Sequence, residues 1–223
     1  MKILKLNSEN PDKNLINEAI DVMAKGGVIL YPTDTVYGLG ANIFNKDAVE
    51  KIYNIKNRDS SKPLSILVPN IGAISLVADL NLKNAAIVQK WLPGPFTFVL
   101  PKTNIVPSYV SRNSKVGVRI PDSKIATSLS ALFPIITTSA NLSDKETFSN
   151  PKDILKQIGH SVDLVIDVGD LKSLDASTII DLTSFRPSLV RKGAQNINFT
   201  KDLQSKYDLK EQRKNHVKHN FKN

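Results

Sequence analysis

The chain has 223 residues, 41% of them hydrophobic and 23% charged, which suits one globular domain and excludes a mostly disordered polypeptide. It has no Cys, so disulfides, a thiol nucleophile and a Cys-ligated metal are excluded, and no apolar run approaches the roughly 18 residues that span a bilayer. The net charge is +9; the segment from Lys201 onward carries seven Lys/Arg against three Asp/Glu, leaving +5 for the body. That balance suits an anionic partner, a nucleotide or a nucleic acid, although Lys-, Asn- and Ile-rich composition also arises from codon bias alone.

The N-terminal stretch "MKILKLNSENPDKN" has neither a hydrophobic signal core nor a cleavage site, so a cytoplasmic protein with no membrane contact is expected. "NLINEAIDVMAKGG" sets Leu15, Ile16, Ala19, Ile20, Val22 and Met23 on one helical face, with Gly26 as its C-cap. "GVILYP" is a short buried strand that runs into the polar, Gly-punctuated stretch "TDTVYGLG". "KDAVEKIYNIKNR" reads as a helix with Val49, Ile52 and Tyr53 inward, and "PLSILVP" as a strand. Helices are expected around 71–78 and 82–91, the second ending at "WLPGP". "FTFVLP" and "VGVRIP" alternate as strands, "SKIATSLSALF" reads as a helix, and "PIITTSAN" is an apolar strand entering a polar loop. Pro151 opens a short helix, "PKDILKQIG", and three strand-like pieces follow: "VDLVIDVG", "STIIDLT" and "SLVRKGA".

Helices alternate with strands first and strands dominate later, which predicts an α/β or α+β domain with a twisted mixed sheet flanked by helices. The expected organisation is one catalytic domain over 1–200 and a basic tail over 201–223, helical or disordered.

Polar groups gather where the strand-like runs end. They include Thr33, Asp34, Thr35 and Tyr37; Lys56, Arg58 and Lys62; and Arg119. Thr137, Thr138, Ser139 and Asn141 follow, then Ser177, Thr178 and Arg191. These are hydroxyls and cations, with few acids. His160, His216 and His219 form no triad pattern, and neither GxxxxGK[ST] nor GxGxxG occurs. No His or acid spacing suggests a transition-metal site. A catalyst built this way works by positioning and charge neutralisation, as phosphoryl and nucleotidyl transfer do, with Lys56 and Arg58 at a helix end able to reach a ligand.

Six segments, "GGVILYPTDTVYGLGAN", "IYNIKNRDSSKPLSILV", "WLPGPFTFVL", "VGVRIPD", "PIITTSANLS" and "STIIDLT…LVRKGA", occur in the order and spacing of YrdC-like proteins. The chain therefore resembles the threonylcarbamoyl-AMP synthases that begin the t6A modification of tRNA, over roughly residues 10–195. The resemblance implies a YrdC/RibB-like fold with an open basic cleft, in a short single-domain form. It implies that L-threonine, bicarbonate and ATP, with Mg²⁺, give threonylcarbamoyl-AMP and pyrophosphate, and that the product passes to a tRNA threonylcarbamoyl transferase complex. It implies threonine contacts from Thr33, Thr35, Tyr37, Arg119, Thr137 and Ser177. For ATP it implies Lys56, Arg58, Lys62, Ser139, Asn141, Thr147 and Arg191. No protein side chain is expected to act as nucleophile or metal ligand.

Ser123, where the family often has His, and Leu67, where it often has a polar residue, depart from the pattern. Two other readings stand beside the synthase: an RNA-binding or assembly protein of the same fold contacting tRNA, rRNA or double-stranded RNA, and a related nucleotide or carbamoyl-transfer enzyme. RNA binding would ask for aromatic platforms, and aromatics are only 6% of this chain.

Overall fold

The computed structural model describes residues 1–195; the expected tail over 201–223 lies outside the described residues. The chain runs β1 (Lys2–Lys5), α1 (Lys13–Ala24), β2 (Ile29–Tyr31), β3 (Gly38–Gly40), α2 (Lys46–Lys56), β4 (Ser65–Leu67), α3 (Ile74–Val77) and α4 (Leu82–Trp91). It continues β5 (Phe96–Pro101), β6 (Lys115–Arg119), α5 (Lys124–Leu129), β7 (Ile135–Ser139), α6 (Pro151–Ile158), β8 (Leu164–Asp167), β9 (Thr178–Asp181) and β10 (Ser188–Arg191). The strands form one sheet in the order β1-β8-β2-β3-β7-β4-β6-β5-β9-β10. Parallel pairs (β1/β8, β2/β8, β4/β6, β5/β9) mix with antiparallel ones, so the expected mixed α/β sheet is what forms. No helix among the described residues is long and apolar enough to cross a membrane.

Local chemistry explains the helices. The Asp12 carboxylate caps α1 by accepting from the Asn14 N–H at 2.7 Å, and the buried stripe is Ile16, Ala19, Ile20 and Met23. The helix stops where Gly26 takes φ +87°, one residue past the Lys25 C-cap. Asn45, Asn81, Ser123 and Asn150 cap α2, α4, α5 and α6 in the same way, with Pro151 in the first turn of α6. The structure differs from the sequence reading in several places, including α3, which covers only Ile74–Val77 of the helix expected around 71–78. β1 forms from "KILK" by pairing with β8, α5 ends at Leu129 rather than Phe133, and "GLG" is a strand. β3 has no strand-favouring composition; its glycines leave room for the Tyr31 ring, since a Cβ on Gly40 would sit 2.8 Å from Tyr31 Cε1. "YPTDTVYGLG" is thus a β2–β3 hairpin and not a strand ending in a loop.

Strand period then divides the sheet into a dry face and a wet one. Ile66, Phe98, Val118, Ile136 and Ile180 are fully buried on one face, in a core completed by α2, α3, α4 and α6. Each such residue contributes about 1.5–3 kcal/mol by leaving water. The opposite face carries, in register across the ladders, Gly38 against Ser139 and Ser65 against Thr137. Next to them come Leu67 against Arg119, Gly117 against Val99 and Thr97 against Ile179, with Arg191 beyond. α1 and α5 cover only part of this second face, over a smaller core of Ile29, Tyr31, Leu67, Ile135, Leu164 and Ile166. The uncovered part is polar.

Candidate active site

That polar, uncovered stretch of sheet is the floor of a cavity of about 290 Å³, the size of a small-ligand site. Its floor groups lie within strands: Ser65 on β4, Thr97 on β5, Arg119 on β6 and Thr137 on β7. The site is therefore built on a sheet face by alternation, and not only from the loops at strand ends that the sequence pointed to. Five lining side chains are cations (Lys56, Arg58, Arg119, Lys145, Arg191) and one, Asp144, is an acid.

Arg119 is buried at 5% exposure and is held from behind. Its Nη2 donates to the Asp34 carboxylate and, at 2.8 Å, to Thr35 Oγ1. Thr33 Oγ1 donates to Val36 O at 2.7 Å, so in the 3.0 Å contact between the two threonine hydroxyls Thr35 must be the donor. Thr33 Oγ1 also accepts from the Thr35 N–H at 3.1 Å, which uses up its hydrogen-bonding capacity. Thr35 thus braces Arg119, and the Thr33 hydroxyl is spent within the β2–β3 turn. Thr35 does not line the cavity, and Thr33 lines it with a saturated hydroxyl.

Three more expected contacts also lie off the cavity wall. Tyr37 spends its hydroxyl on Gly169 O (2.9 Å) and on the Val168 N–H (3.1 Å), and burial pushes its phenol up to about 12. Lys62 is exposed on the 57–63 loop, and Thr147 donates to Leu174 O at 2.9 Å. In each case a neighbouring main-chain group or solvent is nearer than the cavity, which sequence spacing does not reveal.

Lys56 does line the cavity, but at 2% exposure its ammonium is spent on protein oxygens: Ser139 O, Asn141 O at 2.8 Å and Asn141 Oδ1 at 3.0 Å. These bonds pin the turn after β7. Burial, and secondarily the nearby Arg58, push its pKa down to about 7. Ser139 Oγ donates to the same Asn141 Oδ1 at 2.7 Å, so Lys56, Ser139 and Asn141 form one unit. Arg58 follows Asn57, the left-handed C-cap of α2 (φ 47°), which turns the chain so that Arg58 reaches the cavity. Arg191 Nη2 donates to Ser177 O at 2.8 Å, and Ser177 Oγ lies 2.8 Å from Thr97 Oγ1. Burial, then Arg119 and Arg58, lower the Arg191 pKa. Crowded guanidiniums that disfavour one another's charge make a site that an anion relieves. Thr137 accepts from the Tyr31 hydroxyl at 2.9 Å and keeps its own donor.

The sequence reading missed Ser65, Thr97, Ser143, Asp144 and Lys145 on the wall. For Ser65 and Thr97 the signal was available: each sits on the same strand parity as a singled-out neighbour across the ladder.

The Sua5/YciO/YrdC family model, described as telomere recombination, matches residues 21–193. The chain belongs to the Sua5/YciO/YrdC family. It is 39% identical over 193 residues to a putative threonylcarbamoyl-AMP synthase of Methanocaldococcus jannaschii, covering 86% of this chain and 92% of that one. A crystal structure of Pyrococcus abyssi Sua5 complexed with L-threonine superposes with a TM-score of 0.84 at 30% identity, over 91% of this chain and 61% of Sua5. The chain thus spans about three fifths of that Sua5. Escherichia coli YciO superposes at 0.83 with 31% identity, over 89% of this chain and 98% of YciO. The two departures from the Sua5/YciO/YrdC pattern both fall off the cavity: Leu67 is fully buried in the smaller core, and Ser123 caps α5 by accepting from the Ala126 N–H.

Proposed function

We propose that the protein is a threonylcarbamoyl-AMP synthase. Its reaction joins L-threonine, bicarbonate and ATP into threonylcarbamoyl-AMP and pyrophosphate, as a nucleotidyl transfer that supplies tRNA modification. The observation that carries this reading is the convergence of Arg58, Arg119 and Arg191 with unspent hydroxyl groups on one small cavity that lacks His and Cys. The relatives named threonylcarbamoyl-AMP synthase and the threonine-bound Sua5 support the choice of substrates.

In this reading the threonine amine attacks the bicarbonate carbon and a C–O bond breaks with loss of water, giving a carbamate; a carbamate oxygen then attacks the α-phosphorus, the bond to the bridging oxygen of the β-phosphate breaks and pyrophosphate leaves. No enzymic nucleophile is required. Arg119, braced by Asp34 and Thr35, presents a fixed guanidinium to the threonine carboxylate, where a planar fork suits a planar anion. Thr137 and Ser177 supply further hydroxyls to the same cavity. Arg58 and Arg191 neutralise charge on the transferring phosphates, and the Lys56–Ser139–Asn141 unit holds the turn against which the nucleotide lies. Among the described residues no three His, Cys, Asp or Glu side chains converge, so Mg²⁺ is expected as part of the substrate, chelated by the triphosphate. An RNA-binding role alone would leave the buried hydroxyl and guanidinium groups without a purpose.

Purified protein is expected to release pyrophosphate from ATP only when threonine and bicarbonate are both present. Release that is independent of threonine in a coupled phosphate assay would refute the substrate assignment.

A further inference from the structure

Two residues of the turn after β7 are explained neither by the fold nor by the roles above. Ser143 Oγ is buried on the cavity wall and has no hydrogen-bond partner. Leaving a buried hydroxyl unmade costs about 1–3 kcal/mol, and folded proteins tolerate it chiefly where something else completes the bond. Lys145 also lines the cavity, and its ammonium has no hydrogen bond or ion pair among the described residues. The four other lining cations each have a donor tied to protein oxygen: Lys56 to the 139–141 turn, Arg58 Nη2 to Pro63 O at 3.1 Å, Arg119 to Asp34 and Thr35, and Arg191 to Ser177.

The turn that carries both residues is rigidly placed. The Ser143 N–H donates to Lys56 O at 2.8 Å, the Leu142 N–H to Gln157 Oε1 at 3.0 Å, and the Lys145 N–H to Leu142 O at 3.1 Å. Asn141 Nδ2 donates to Lys145 O, and Asp144 takes φ 61° to close the turn. A preformed turn that offers one spare hydroxyl and one spare ammonium to a cavity otherwise rich in guanidinium is an anion subsite.

Resting on the synthase reading, we propose that Ser143 and Lys145 form the subsite for the terminal phosphates of the nucleotide, those that leave as pyrophosphate. Position within the cavity decides which phosphates. Arg119 and Thr137 on the sheet floor are 5% and 8% exposed and Ser177 beside them is 5% exposed, and here the amino acid and the α-phosphate would meet, whereas Lys145 is exposed at the rim. The group that departs is the one nearest solvent.

The test is calorimetric binding of ATP, inorganic tripolyphosphate and AMP to the full chain and to Lys145→Ala, Ser143→Ala and Lys145→Arg variants at fixed salt. Lys145→Ala should weaken ATP and tripolyphosphate about tenfold, the size of one lost charge-assisted hydrogen bond. Ser143→Ala should weaken both by a smaller factor, AMP should change less than twofold, and Lys145→Arg should restore most of the loss. Unchanged ATP and tripolyphosphate binding in Lys145→Ala overturns the proposal, as does an equal loss for AMP. If the binding pattern holds but wild-type protein releases no threonine-dependent pyrophosphate, the synthase reading fails and the subsite stands.

Discussion

Lys56 sits in two opposed environments at once. Three carbonyl-type oxygens match the three hydrogens of its ammonium, yet burial and Arg58 hold its pKa down to about 7, against an ordinary value of 10.5. The native state therefore gives up this proton before the unfolded chain does. Between about pH 7 and 10.5 the unfolded chain binds more protons, so the Lys56 contribution to stability rises with pH across that window. Urea denaturation from pH 7.5 to 9.5 should show wild type gaining on Lys56→Met with a slope approaching one proton, about 1.4 kcal/mol per pH unit. Parallel stability curves for the two proteins would show that the native ammonium keeps its ordinary pKa. Asp34 is a different kind of buried charge: with Arg119 it is nearly solvent-free, at 11% and 6% side-chain exposure, and its partner lies 85 residues away in the chain.

At the scale of elements, the left-handed Asn57 does the positioning that a sequence reading assigns to Arg58 itself. α2 ends at Lys56, Asn57 turns back, and the Arg58 N–H bonds Tyr53 O at 3.0 Å. A β-branched residue pays for φ 47° where Asn and Gly do not. Asn57→Val should cost about 1–2 kcal/mol in thermal or urea unfolding. It should also raise the KM for ATP, because the exit of the chain from the helix aims Arg58. Asn57→Gly should preserve both. Equal kinetics for the Val and Gly variants would separate Arg58 placement from the cap. The β2–β3 hairpin teaches the converse lesson. "PTDTVYG" is legible as a functional stretch, and in it Thr35 braces Arg119 while Thr33 spends its one donor and two acceptor sites within the turn.

For the molecule as a whole, the cavity draws on residues from Thr33 to Arg191, which spans nearly the whole family match. Removing residues 201–223 should therefore leave threonine-dependent pyrophosphate release within about twofold of the full chain. Complete loss of turnover in that truncation would place an essential group beyond the described residues. The sequence by itself determined the helices, most of the strands and the mixed α/β class, because periodicity is local, and it singled out Arg58, Arg119 and Arg191 among the polar groups at the ends of strand-like runs. Only the tertiary structure decided strand order, the strands β1 and β3, and which face of each strand meets the cavity. It also decided that Thr35, Tyr37, Lys62 and Thr147 stand off the wall while Ser65, Thr97, Ser143 and Lys145 stand on it. Those facts depend on partners dozens of residues apart, and a hydroxyl or a lysine reads the same in a sequence whether its bonds are spent on the protein or left for a ligand.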